Sequence, residues 1–162
     1  MSGIGNWTSV AHAGTRISAL VPTPWEMSEV VDHHVRFFAP PAAQYDNHRS
    51  TFSISLGEPE GFGPDGFQEF CDASRARLEA SLPDFSLRSV ERFTLSSFVD
   101  IHAVWYSCGS DTGHAFAQLQ ALGLMDRYHL YLINAATLLP LAEEYLPIFD
   151  TILHSLRMLP SR

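Results

Sequence analysis

The chain has no lysine. Its ten cationic side chains are all arginine, so neither Schiff-base chemistry nor the lysine of a phosphate-binding P-loop is available to it. Cysteine is nearly as scarce. Cys71 and Cys108 are the only two, too few for a disulfide scaffold and in keeping with a reduced, cytoplasmic protein. No apolar run is long enough to cross a bilayer, so direct membrane insertion is not expected. The opening "MSGIGNWTSVAHAG" lacks a basic start followed by an apolar stretch, and lacks an early cysteine for a lipid, so export is not expected either. A basic stripe is also missing. With 18 acids against ten arginines the formal charge is -8, which would repel a phosphate backbone and argues against nucleic acid as a partner.

What is present suits one globular domain spanning residues 1–162. A chain of this length with 46% hydrophobic residues can bury a sizeable core. "WTSVAHAG" and "RISALV" read as two short strands around Gly14, the second stopped by Pro22 and Pro24. "VRFFA" (35–39) and "TFSISL" (51–56) follow, with a polar loop from Ala42 to Ser50 between them. Asp32, His33 and His34 form a polar lead-in to the strand at Val35.

From about 67 to 82 the period changes. Phe67, Phe70, Ser74, Leu78 and Leu82 recur every three or four residues, with Glu69, Asp72, Arg75 and Glu79 opposite, so an amphipathic helix is predicted. Asp65 is its expected N-cap and Pro83 its stop. Four strand-like runs at 85–95, 101–109, 114–124 and 127–135, joined by short turns, predict an antiparallel meander. A last helix over about 146–159 carries Phe149, Ile152, Leu156 and Leu159 on one face, with Pro147 in its first turn. The order predicts an α+β fold with a central antiparallel sheet and two main helices.

Three motifs look chemical and read better as structure. "GFGPDG" (61–66) matches G-x-G-x-x-G formally, but proline lies inside it, Glu58, Glu60 and Asp65 oppose a pyrophosphate, and no crossover helices follow. "SDTG" (110–113) carries the Asp-Thr-Gly of aspartic proteases in a single copy, whereas that chemistry needs two facing carboxylates. A hairpin loop with Gly113 at positive φ explains it. The eight histidines show no HxxxH or HExxH spacing, and His33 and His34 would point to opposite faces of an extended chain. Cys108 and His102 on one strand would lie roughly 20 Å apart, too far for a dyad. No catalytic residue, metal ligand or cofactor site is nominated.

Counting outward from a loop at Asp111–Gly113 predicts the register of the central hairpin. One face then carries Ala103, Trp105 and Ser107 opposite Ala117, Leu119 and Ala121, small enough for a helix to approach closely. The other carries His102, Val104, Tyr106 and Cys108 opposite Phe116, Gln118, Gln120 and Leu122. This second face is apolar but studded with hydrogen-bonding groups. Either a helix covers it, or it is an open groove suited to a peptide or helix. Val104, Tyr106, Phe116, Gln118 and Gln120 are its candidate partner-binding residues.

The layout resembles the PsbP-like/DcrB-like superfamily of α/β/α sandwiches. The matching stretches are "LVPTPWE" (20–26), "TFSISL" before "FQEFCDASRARLEASLPDFSL", the hairpin "HAVWYSCGSDTGHAFAQLQAL", "RYHLYLINA" and the closing "FDTILHSLRML". Members of that superfamily include photosystem-associated extrinsic proteins, exported lipoproteins, a nuclear-transport factor and cytoplasmic Eag-type chaperones, which shield transmembrane segments of type VI secretion effectors. Without an export signal this chain looks most like the last group.

That resemblance implies a non-enzymatic chaperone or adaptor that holds the apolar helices of a secreted effector, with a homodimer as one arrangement. Two other classes are compatible with the residues. One is an immunity protein whose acidic surface meets a basic toxin. The other is a metalloenzyme or hydrolase using His33 or His34.

Overall fold

The computed structural model describes residues 6–57, 66–95, 98–125 and 129–160. Among the described residues ten strands and two α-helices run in the order β1 (Trp7–His12), β2 (Ile17–Pro22), β3 (Glu26–Val31), β4 (His34–Phe38), β5 (Thr51–Leu56), α1 (Gly66–Ser81), β6 (Ser86–Leu95), β7 (Phe98–Cys108), β8 (Phe116–Leu124), β9 (Leu130–Leu138), α2 (Ala142–Ser155) and β10 (Arg157–Met158). Seven strands form one antiparallel sheet in the order β3-β4-β5-β9-β8-β7-β6, and β1-β2-β10 form a small second sheet. The two helices lie on opposite faces of the large sheet, which is the expected α+β sandwich.

The central hairpin has the register counted from its loop: His102 faces Leu122, Tyr106 faces Gln118 and Cys108 faces Phe116. Gly113 adopts φ 83° in that loop, and Ser110 Oγ donates to the His114 carbonyl at 2.9 Å. "SDTG" is therefore a turn whose small residues bond locally.

The alternation of β8 and β9 sends Leu119, Ala121, Ile133 and Ala135 into the main core, where they meet β2 and α2, and Ala117 beside them is buried too. From α2, Phe149, Ile152 and Leu153 are fully buried there, each contributing roughly 1.5–3 kcal/mol of apolar burial. Trp25 docks on the same helix, with ring centroids 6.2 Å from Tyr145 and 6.4 Å from Phe149. The tryptophan of "LVPTPWE" thus pins the chain between the two sheets.

Several boundaries differ from expectation. The segment at 26–31 is strand β3, paired with β4, and Val31 faces His34 across the two-residue turn Asp32–His33. Asp32 and His33 are therefore a hairpin loop rather than a lead-in. β3 was not visible because Glu26, Met27 and Ser28 are exposed on a sheet edge, where nothing imposes an apolar alternation.

The last helix begins at Ala142, not at 146. Pro140 lies in a 3-10 turn, Leu139–Leu141, that runs into it, and Glu143 and Glu144 occupy its first turn, where acids suit the positive end of the helix dipole. Pro147 accordingly lies inside the helix. The helix ends at Ser155 because Leu156 is extended and the next two residues pair with β2, so Leu159 is not helical. The fourth meander strand starts at Leu130 rather than 127, and residues 126–128 lie outside those described. The glycine-rich loop up to Asp65, with the expected N-cap, also lies outside them.

Candidate partner-binding face

The ladder pairings place three rows of side chains across the face of the large sheet that looks away from α2. One row runs His34, Ser55, Leu132, Leu122, His102; the next Arg36, Ser53, Asn134, Gln120, Val104; the third Phe38, Thr51, Ala136, Gln118, Tyr106. Ser53, Ser55, Thr51 and Arg36 make the rows largely polar on β4 and β5, with Phe38 the exception, while Leu122, Val104 and Tyr106 make them more apolar toward β7, where His102 ends the first row. Helix α1 lies over the apolar end. Phe67 and Cys71 cluster with Leu122, while Leu78, Leu82 and Phe85 pack on Val104, Tyr106 and Cys108.

The five residues named from the sequence therefore divide. Val104 and Tyr106 are each 4% exposed and are not an open surface: α1 covers them, because it too has an apolar stripe to bury. Phe85 stacks on Tyr106 with centroids 5.3 Å apart and planes at 26°. The Tyr106 hydroxyl donates to Gln118 Oε1 at 2.8 Å, and burial, with Cys108 nearby, pushes its pKa up to about 12. Gln120 is half-buried and donates from Nε2 to Ser74 Oγ on α1 at 3.0 Å. Phe116 and Gln118 are also half-buried, and Phe116 lies 6.1 Å from the His48 ring.

Beside α1 the polar half of the face is open. A groove of about 380 Å³ is lined there by His34, Arg36, Ser53, Ser55, Gln118 and Asn134, among others. Gln118 was singled out from the sequence as partner-binding and His34 only as a possible metal or proton-transfer residue; Arg36, Ser53, Ser55 and Asn134 were not singled out. Thr51, Ser53 and Ser55 alternate in "TFSISL", so a polar strand face was readable, but not that α1 would stop short of it. His34 is held below its usual pKa by burial and by Arg36, so the groove presents a neutral imidazole beside a guanidinium at neutral pH.

The remaining chemical candidates do not assemble on this face. His33 is exposed in the β3–β4 turn, with Nδ1 3.2 Å from the Gly14 carbonyl, while His34 turns into the groove. Cys71 is pushed up to about 12, first by burial and then by Asp100 and Asp72, and burial also raises Cys108. Such thiols hold little thiolate at neutral pH and are poor nucleophiles. What the face offers is hydrogen bonding beside a covered apolar strip.

Known folds can be set beside this geometry. No protein-family model and no curated protein sequence matches the chain. Solved structures do match. LpqN of Mycobacterium tuberculosis, involved in cell envelope biogenesis, superposes with a TM-score of 0.69 at 17% identity, over 96% of this chain and 91% of that one. The cyanobacterial PsbP of Synechocystis gives 0.57 at 14% identity over 97% and 95%. The Ran-binding protein Mog1p of Saccharomyces cerevisiae gives 0.58 at 10% identity over 95% and 96%. The likeness is one of fold. The chain has the PsbP/Mog1-like architecture over nearly its whole length, and identities this low carry no residue roles with them.

Proposed function

We propose that this chain is a non-enzymatic protein-binding domain, a single cytoplasmic unit of residues 1–162 acting as a chaperone or adaptor that holds an apolar helix of a secreted effector. The observation that carries this reading is the half-covered sheet face. α1 shows what that face accepts, a helix lying with Cys71, Ser74 and Leu78 against the sheet, and only Phe67 and Cys71 of its sixteen residues are buried. A partner helix laid alongside α1 would rest on Phe116, Gln118 and Leu132, with Ser53, Ser55 and Asn134 for its polar groups. If α1 is displaced, Val104, Tyr106 and Gln120 join that surface. The Ran-binding neighbour supports protein binding as a use of the fold.

Recovery from native lysate on the full chain, with Tyr106→Asp and Gln118→Arg as controls, tests the proposal. One effector with apolar helices, lost in both variants, is the expected result. Recovery unchanged in both would count against it. Dimer formation in this reading is checked by the mass of the isolated complex.

The formal charge of -8 favours a second reading, an immunity protein that neutralises a basic toxin. It predicts a complex that weakens steeply with salt, whereas the apolar complex changes little.

A further inference from the structure

Glu91 on β6 and Asp150 and His154 on α2 bring one ligand-type atom each within 4.8 Å of one another. We propose that they form a divalent-metal site of the zinc class, which fastens α2 to the edge strand β6. Asp150 and His154 are one helical turn apart and share a face. His154 Nε2 lies 3.4 Å from Asp150 Oδ1 and 3.8 Å from Glu91 Oε2. Ligands bonded at roughly 2.0–2.2 Å around a tetrahedral ion are about 3.3–3.6 Å apart, so small side-chain adjustments close the set. The imidazole is already aimed, because its ring stacks on Phe93 with centroids 4.3 Å apart and planes at 20°. Among the described residues no arginine pairs with either carboxylate; both ion pairs run to His154.

A second, independent observation points to a ligand here. Glu91 and Asp150 also line a cavity of about 380 Å³ between β6 and α2, together with Trp105, Leu146, Pro147 and Arg88. Trp105 is 5% exposed, and its indole N–H is buried with no acceptor, an arrangement that native structures rarely leave uncompensated. A three-residue metal site leaves one tetrahedral position open. An anionic oxygen ligand in that position, a carboxylate for instance, would meet the Arg88 charge in the cavity that Trp105 also lines.

The test uses the full chain freed of metal by a chelator and titrated with zinc alone by calorimetry, then with cobalt(II) for its tetrahedral absorption band. Wild type is expected to bind one equivalent and to melt higher with it. Glu91→Gln, Asp150→Asn and His154→Ala should each weaken binding at least about tenfold, and His114→Ala, in an exposed loop, should not. The three ligand side chains are 40–50% exposed, and circular dichroism confirms that each variant is folded. Absence of zinc binding in wild type, or affinity unchanged from wild type in all three ligand variants, would overturn the site.

Discussion

Gln120 in the middle of the large sheet donates a hydrogen bond to Ser74 in the middle of α1, at 3.0 Å. Around this contact the helix has little else that is polar to hold it. Arg92 on β6 bonds Gln68 of α1 while pairing with Asp100, and Phe67, Phe70, Cys71 and Leu78 add apolar packing. The proposed function depends on α1 being held this way, so its attachment is the first quantity to measure.

Cys71 reports on it. The thiol is buried between α1 and the sheet, with its pKa pushed up to about 12, so a disulfide reagent reaches a reactive thiolate only when α1 opens. In a Cys108→Ser background, Ser74→Ala combined with Arg92→Ala should raise the labelling rate of Cys71 about five- to tenfold, the equivalent of about one hydrogen bond's net worth. An unchanged rate would mean that α1 is secured by its apolar contacts alone.

Acid should loosen the fold. Burial holds His34, His48 and His102 below the ordinary value of 6.5. A base whose folded pKa is depressed stabilises the fold above its unfolded pKa, and that contribution is lost as pH falls through the folded value. The urea midpoint is therefore expected to be flat near pH 7.5 and to fall below pH 6.5. His102→Gln should flatten the acid limb.

The alkaline limb has the opposite sign. Tyr106 rises from 10 to about 12 on folding, so its contribution is complete below pH 10 and disappears between 10 and 12, an upper limit of roughly 2–3 kcal/mol. Tyr106→Phe removes that loss but leaves Gln118 Oε1 without its donor, which costs about 1 kcal/mol near neutrality. Denaturant titrations of both proteins at pH 7 and pH 11 should show the two stabilities converging or crossing.

Gly14 should tolerate no side chain. A Cβ there would overlap the carbonyl oxygen of Asp32 and crowd the His12 ring, because the β1–β2 turn sits directly on the β3–β4 turn. Gly14→Ala is expected to destabilise the fold by about 1–3 kcal/mol. A neutral effect would show that these two turns are not packed as described.

How far the sequence could be read follows from which residues were constrained by periodicity. Tyr106 and Gln118 were paired correctly because a two-sided strand pattern and one loop determine register. β3 and the start of α2 were not readable, the first because an exposed edge strand buries nothing periodic, the second because Pro147 mimics a first-turn proline when Pro140 is the one near the helix start. The five candidate residues Val104, Tyr106, Phe116, Gln118 and Gln120 were read as sharing one face of the sheet, and they do. Whether α1 or solvent lay over Val104 and Tyr106 depended on the distance α1 reaches across the sheet, which no local pattern encodes. Asp150 and His154 stood at helical spacing, but only the fold brings Glu91 to them.

The most direct measurement places a photo-crosslinking amino acid at position 118, where the open groove meets α1, and identifies what it captures in cells by mass spectrometry. The account predicts adducts confined to apolar helical segments of one secreted protein, retained in high salt and lost when Asn134→Arg fills the groove. Adducts to a basic toxin that vanish with salt, or crosslinking indistinguishable from that of a probe at exposed Thr112, would contradict it.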